Sequence, residues 1–153
     1  MKLKGLIDLV LDEVRDNLED PLSRSANWVF YGWPKVKITS DRMPVLVFME
    51  TRSSEQLKEG LGRPNPLQTY SMEFTIMTDS TKEFSEGGVR YAGYKIVTYF
   101  LDALAELFIT RRTNFRDAGV HEVDVTSLTT DGYDPEIDMF FGSLTVDITV
   151  TQD

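Results

Sequence analysis

The stretch from Gly88 to Thr110 has the longest unbroken helical period in the chain, and it constrains the fold more than any other segment. Because apolar residues recur there every three or four positions, they fall on one side of a predicted helix. These residues are Val89, Ala92, Gly93, Ile96, Val97, Phe100, Leu104, Leu107 and Phe108. Strand-like segments precede and follow the stretch, so we expect this long central helix to cover a sheet.

A second amphipathic helix is predicted at the N-terminus, ending near Asp20 and just before Pro21. Acidic residues at positions 8, 12 and 13 interrupt its apolar run before it reaches the length of a signal peptide, so we expect a helix of the mature protein. The apolar stripe consists of Leu3, Leu6, Ile7, Val10, Val14 and Leu18.

Several segments alternate apolar and polar residues and predict strands, the clearest being Leu67 to Asp79 and Met139 to Thr151. The segment Pro44 to Arg52 is apolar on both faces near its start, which predicts a central strand that is buried on both faces. Two covering layers are then required, and the two helices could each supply part of them. Shorter candidates are 28–33 and 36–38, and 120–128 is expected to form a hairpin with the last strand. The predicted fold class is α+β: one domain over residues 1–153, with a mostly antiparallel sheet of four to six strands packed by the N-terminal helix and the long central helix.

Residues 53–68 separate two predicted strands and are predicted to form a long loop, because they contain two glycines, two prolines and no clear period. Loops of this length inside a compact domain usually have a purpose, such as an arm that reaches a neighbouring subunit. A surface loop without a partner remains the alternative. The Gly60 and Gly62 region lacks the spacing and the Gly-Lys-Ser/Thr ending of a phosphate-binding loop, so nucleotide binding is not expected.

The composition excludes several classes of function. With 25 acidic and 16 basic residues, the chain has a formal net charge of −9, and such a surface repels free nucleic acid. The acidity is explained either by solubility and salt adaptation, or by a passage through which DNA slides without sticking. The absence of cysteine excludes disulfides, thiolate catalysis and thiolate zinc sites, and no apolar run is long enough to span a membrane.

No pattern in the sequence predicts a catalytic, metal or cofactor site, so we expect a protein that is not an enzyme. The sole histidine, His121, has no nucleophile or second ligand nearby in sequence. Glu50 and Glu73 are the least arbitrary carboxylate pair for acid and base catalysis, if their predicted strands are neighbours. The acidic segment 131–138 briefly resembles a calcium loop, but it lacks the EF-hand order of ligands and predicts a hairpin turn instead.

Two segments are candidate contact surfaces. The aromatic run containing Trp28, Phe30, Tyr31 and Trp33 favours core packing or a subunit interface over base stacking, because few basic residues are close. A basic cluster at residues 111–116 follows the central helix, where the helix dipole favours cations. Its arginines either have this local role or meet an acidic subunit or DNA phosphates.

The order of elements resembles the tail terminator and head-to-tail joining proteins of long-tailed phages and related viruses. The features that carry the resemblance cover nearly the whole chain. They are the opening helix ending at Asp20-Pro21, the pair PVLVFMETR and LQTYSMEFTIMTD separated by the long loop, the helix GVRYAGYKIVTYFLDALAELF, and the closing strand GSLTVDITVTQD. They are architectural features, and no functional residue of the family is carried over position by position.

The resemblance implies a virion protein of the tail or neck, made in the host cytoplasm, that forms a ring, typically hexameric. Such a ring caps the tail tube, joins it to the head, and lets viral DNA pass without sequence-specific binding. Its implied partners are copies of itself, the tail tube protein and the head–tail connector protein, with no membrane. The candidate interface residues are Glu55, Lys58, Leu61, Arg63, Arg111 and Arg112.

Three alternatives remain open at this point. The first is another neck or tail component, such as a head completion or tube protein. The second is a non-viral ferredoxin-like module that binds proteins, and the third is a small acidic enzyme with a carboxylate of shifted pKa in a pocket.

Overall fold

The computed structural model describes residues 1–35, 38–58 and 67–151. In chain order, a short 3-10 turn at Ser40–Arg42 lies between β1 and β2. The helices and strands are α1 (Leu3–Asn17), β1 (Val29–Tyr31), β2 (Val45–Lys58), β3 (Leu67–Thr78), β4 (Glu83–Glu86), β5 (Val89–Ala92), α2 (Tyr94–Thr110), α3 (Arg112–Asp117), β6 (Val120–Asp134) and β7 (Met139–Thr151).

The described strands form a five-stranded sheet in the order β1-β2-β3-β7-β6 and a separate two-stranded sheet, β4-β5. Only the β1–β2 pair is parallel, and the other pairs are antiparallel. The predicted α+β class with a mostly antiparallel sheet is therefore confirmed. The order of elements differs from the β-α-β-β-α-β order of a ferredoxin-like domain, which removes the fold basis of that alternative.

Both long helices pack on the same face of the sheet, so they supply the covering layer of one face only. Buried residues of α1 and α2 share one hydrophobic core with Phe48 of β2 and Phe74 of β3. The opposite face has its own small cluster near the start of β2, which explains why that strand is apolar on both sides. This cluster consists of Met43, Val45, Val47 and Met77, with Phe30, Ile38, Met139 and Phe141 packed against it.

The central helix begins at Tyr94 and not at Gly88, so the predicted start is wrong by six residues. Residues 83–92 form the β4–β5 hairpin instead. Gly87 and Gly88 have φ angles of 57° and 78°, the positive values that a two-residue hairpin turn requires. The hairpin is fixed to the helix because the ring of Phe84 stacks on Tyr91 and contacts Tyr99 edge to face.

The predicted loop at 53–68 is shorter than expected, because strand pairing continues into it from both sides. Ser53 lies opposite Tyr70, and Lys58 lies opposite Leu67, so residues 53–58 and 67–68 belong to strands. The rest of the predicted loop lies outside the described residues, as do two of the three residues of the strand expected at 36–38. The central strand of the sheet is β3, and β2 lies one position towards the edge.

The closing hairpin is confirmed and is longer than predicted, since β6 continues through Asp134 before the turn at residues 135–138. Strand β6 lies at the outer edge of the sheet and pairs with β7 along its length. Its register is interrupted in three places, between Val120 and Glu122, between Val125 and Ser127, and between Thr129 and Gly132. Such irregularities bend an edge strand and increase its local twist.

A partly buried ion pair holds the segment between α1 and β1 to the start of β2. The Arg24 guanidinium donates to Asp20 at 2.9 Å and to the backbone oxygens of Arg42 and Pro44 at 2.7 and 2.5 Å. Burial alone would raise the pKa of Asp20, but hydrogen bonds from Arg24 and from the backbone N–H groups of Arg24 and Leu22 lower it below 3.8. The ionised carboxylate therefore stabilises the fold at neutral pH.

Replacing Arg24 with alanine is expected to lower the free energy of unfolding at neutral pH by about 2 kcal/mol, because a partly buried carboxylate loses its counter-ion and two backbone oxygens lose their donor. Urea denaturation measures the change. Asp20 contributes stability above its unfolded-state pKa, and this contribution is lost as the pH falls through the lower folded-state pKa. The variant should therefore lose less stability on acidification than the wild type does.

The matched control is Arg90→Ala, because Arg90 pairs with Glu83 while the two side chains are 73% and 57% exposed. Screening by solvent should keep its effect below about 0.5 kcal/mol. Equal losses in the two variants would contradict a structural role for the partly buried pair.

Candidate functional site

The face of the sheet that is not covered by helices carries a group of carboxylates on three adjacent strands. We call Glu73 of β3, Glu122 and Asp124 of β6, and Asp147 of β7 the acidic sheet face. The register places Asp124 opposite Asp147, Glu122 opposite Thr149, and Glu73 opposite Thr145. The four side chains therefore share one surface, which the alternation of the strands directs away from α1 and α2.

Hydroxyl groups surround these carboxylates. Ser71 donates to Asp147 at 2.6 Å, and the Thr69 and Thr149 hydroxyls are 2.8 Å apart. Strands β3, β6 and β7 contain no lysine or arginine, so they provide no cation of their own to neutralise the face. Like charges placed directly opposite each other, as Asp124 and Asp147 are, reduce the stability of a sheet. The nearest cations that the described structure places beside this face belong to α3, since Arg112 and Arg116 line a depression together with Glu122 and Asp124.

A second feature is a groove of about 890 Å³ along the outer side of α2, between the end of α1 and the β4–β5 hairpin. We call it the α2 groove. Its apolar surface includes Tyr91, Tyr99, Ala103 and Leu107, and the carboxylates of Asp102 and Glu106 line the same groove. Helix α2 places these two carboxylates one turn apart on its exposed side.

The ionisable groups of the α2 groove do not indicate catalysis. Burial raises the pKa of Tyr99, and its hydrogen bond to Glu86 raises it further. The phenol therefore stays protonated at neutral pH and acts as a donor. Lys95 and Arg111 also line the groove, and Arg111 already donates to Glu13 at 2.9 Å. The groove has the apolar surface and charged edge of a binding surface.

The two arginines predicted as interface residues have different surroundings. Arg111 joins α2 to α1 through its ion pair with Glu13, so it has an intramolecular role. Arg112 begins α3 and is exposed, and Arg116 is exposed one turn later. Within the described ranges, neither Arg112 nor Arg116 forms an ion pair. They line a depression of about 230 Å³ together with His121, Glu122 and Asp124.

Two of the other four predicted interface residues lie on a described strand. Glu55 and Lys58 belong to β2, and Leu61 and Arg63 lie outside the described residues. The role of all six residues as an interface stays a prediction.

The aromatic run around β1 divides between core and surface. Trp28 is buried and its ring lies 5.2 Å from that of Phe100, whereas Trp33 is 61% exposed. Tyr31 is 42% exposed and contacts Phe48 edge to face. The run therefore contributes to the core and also leaves aromatic surface near the β1 edge of the sheet.

The carboxylate pair considered for catalysis does not form. Glu50 lies opposite Met72 and Glu73 lies opposite Met49, so the two carboxylates are on different faces of the sheet. His121 is exposed on β6. In the ranges that the structure describes, no group of three His, Cys, Asp or Glu side chains could hold a metal ion.

The acidic turn has a local structural explanation. Asp138, which has a φ of 50°, accepts hydrogen bonds from the Ser80 hydroxyl at 2.6 Å and from the Tyr133 hydroxyl at 2.8 Å. These hydrogen bonds lower the pKa of Asp138. The carboxylate thus ties the β6–β7 turn to the segment after β3.

Sequence reasoning missed both the acidic sheet face and the α2 groove. The absence of lysine and arginine from β3, β6 and β7 was visible in the sequence and could have indicated the acidic sheet face. The groove depends on the β4–β5 hairpin, which the helical prediction for residues 88–93 concealed.

No protein-family profile matches the chain, and no curated protein matches its sequence significantly. Among the described residues, no helix is long and apolar enough to cross a membrane.

Proposed function

We propose that the chain is a structural virion protein that forms a ring at the end of a viral tail, with the acidic sheet face towards a central passage for DNA. One observation carries the proposal. A helix-free sheet surface bears four carboxylates among hydroxyl groups, on strands that contain no lysine or arginine. Such a surface repels phosphates, and its strands offer DNA no cation to bind, although Arg112 and Arg116 of α3 lie at its edge.

The order of elements also supports this proposal, since it is the order expected from the resemblance to tail terminator proteins. The ring would cap the tail tube and join it to the head, with the tail tube protein and the head–tail connector as partners. In this role the protein acts by shape, charge and self-association, and it performs no reaction. In this role the like charges of Asp124 and Asp147, which reduce the stability of the sheet, would serve to repel DNA from the wall of the passage.

The first test is the mass of the purified protein by light scattering over a range of concentration, followed by negative-stain imaging. We expect closed rings of about six subunits with an open centre, because a head-to-tail contact that closes produces a ring. A strictly monomeric protein, both alone and mixed with the purified tail tube protein, would contradict the proposal.

The second test concerns the charge of the passage. The double variant Glu73→Lys/Asp124→Lys should retain linear double-stranded DNA in its rings, whereas wild-type rings should not. The matched control is Asp8→Lys/Asp12→Lys, which changes the net charge equally at exposed positions of α1. Equal DNA retention by both variants would contradict the orientation of the acidic sheet face.

A further inference from the structure

The α2 groove contains two carboxylates, and Lys95 and Arg111 line the same groove. Asp102 and Glu106 are exposed, and neither forms an ion pair or a hydrogen bond with another described residue. Like charges four residues apart on a helix repel each other by a few tenths of a kcal/mol. A cationic partner that enters the α2 groove would remove this cost and cover the apolar surface between the hairpin and the helix.

Helix α3 presents the opposite arrangement. Arg112 and Arg116 are also four residues apart and exposed. Phe115 between them is fully buried, and its ring stacks on that of Phe108 at 5.6 Å. Because this anchor fixes the short helix, the two arginines are held on its outer side without an ion pair in the described structure.

The two pairs are complementary in charge and in spacing. Residues four apart on a helix have Cβ atoms about 5–6 Å apart, so two carboxylates and two guanidinium groups at this spacing can form two ion pairs side by side. Three other described arginines have carboxylate partners: Arg24 pairs with Asp20, Arg90 with Glu83, and Arg111 with Glu13. Arg15 donates instead to the backbone oxygen of Val29. The complementary partner for the α2 groove is therefore present on the chain itself.

We infer that Arg112 and Arg116 of one copy dock against Asp102 and Glu106 in the α2 groove of a second copy, and that this contact joins neighbouring subunits. The inference rests on the proposed ring. Since the two surfaces are different parts of the chain, the contact is head-to-tail, which is the type that closes into rings. Each copy uses its α3 on one neighbour and its α2 groove on the other.

The test is a charge swap. Asp102→Lys/Glu106→Lys and Arg112→Glu/Arg116→Glu should each raise the concentration required for assembly by at least about tenfold, because like charges then meet in the contact. An equimolar mixture of the two double variants should assemble again in alternating order. The quadruple variant, which keeps the net charge of −9, should assemble alone.

Asp8→Lys/Asp12→Lys is the control, since it reverses a carboxylate pair of the same spacing on α1 and should assemble like the wild type. Circular dichroism and urea denaturation verify that every variant folds. Assembly of either double variant at wild-type concentration would overturn the inference, as would failure of both the mixture and the quadruple variant to assemble. If one of these outcomes is found while the wild-type protein still forms rings, only the inferred contact is overturned and the proposed function is retained. Loss of wild-type rings themselves would overturn both.

Discussion

Phe74→Ala is expected to lower the free energy of unfolding by about 4 kcal/mol, the largest loss for a single truncation in this core. Phe74 is fully buried on the central strand. Its ring stacks on Phe48 at 4.9 Å and contacts Phe108 edge to face at 5.3 Å, and Phe108 in turn stacks on Phe115. The substitution opens a cavity that α2, packed against two other strands, cannot close.

Urea denaturation measures this loss, and the cooperativity of unfolding should be the same in the variant and the wild type. Phe74→Leu should cost less than half as much, because it retains most of the apolar volume. Met49→Ala provides a surface control on the neighbouring strand, since Met49 is 38% exposed. A loss below about 1 kcal/mol for Phe74→Ala would contradict the described packing of the four rings.

Gly142→Ala is expected to cost about 3 kcal/mol although it adds only one methyl group. A Cβ atom at this position of β7 would lie 2.6 Å from Val97 Cγ1, 2.9 Å from Leu101 Cδ1 and 2.9 Å from the backbone oxygen of Thr129. The two side chains can move, but the backbone oxygen belongs to the neighbouring strand β6 and cannot. The added methyl group therefore keeps its close contact with β6 even when the two side chains of α2 move.

A double variant separates these contributions. Val97→Ala should restore part of the stability of Gly142→Ala by removing the nearest contact, while the Thr129 contact persists. Gly5→Ala is the contrasting control, because Gly5 lies in α1 and the nearest atom to an added Cβ is a flexible Met1 side-chain atom at 3.7 Å. It should raise stability by about 0.5 kcal/mol through helix propensity. A Gly142→Ala protein as stable as the wild type would contradict the close packing of α2.

The elements with one dominant period were predictable from the sequence. Strand β3 alternates between buried and half-buried residues as expected, with Tyr70, Met72, Phe74 and Ile76 facing the core. Helix α1 has the apolar stripe that predicted it. In both cases a single face is buried, so the pattern of the sequence and the pattern of burial coincide.

The segment before α2 was not predictable in this way because its apolar residues fit two structures. Val89 and Ala92 continue the helical period, yet they belong to β5. The positive φ angles at Gly87, Gly88 and Gly93 decide the outcome, and they separate the hairpin from the helix. Glycine permits such angles but does not require them, so the turn could only be seen in the structure.

The candidate surfaces were harder to predict than the fold, since they depend on register and on contacts between distant residues. Asp124 meets Asp147 only because of the irregularities along β6, where one strand shifts relative to the other. Arg111 and Glu13 are separated by 98 residues in sequence, and their ion pair distinguishes Arg111 from the neighbouring Arg112. No local pattern encodes either relation.

The three interruptions of β6 bear on how such a protein avoids uncontrolled polymerisation. The outer edge of a sheet is a template on which a strand from another molecule can add, and repeated addition produces fibrils. In β6 the regular stretches between interruptions, at 122–125, 127–129 and 132–134, are only three or four residues long. A strand from a second molecule would have to reproduce the same bulges to pair along the edge. The interruptions therefore disfavour the addition of a strand from a second molecule along this edge.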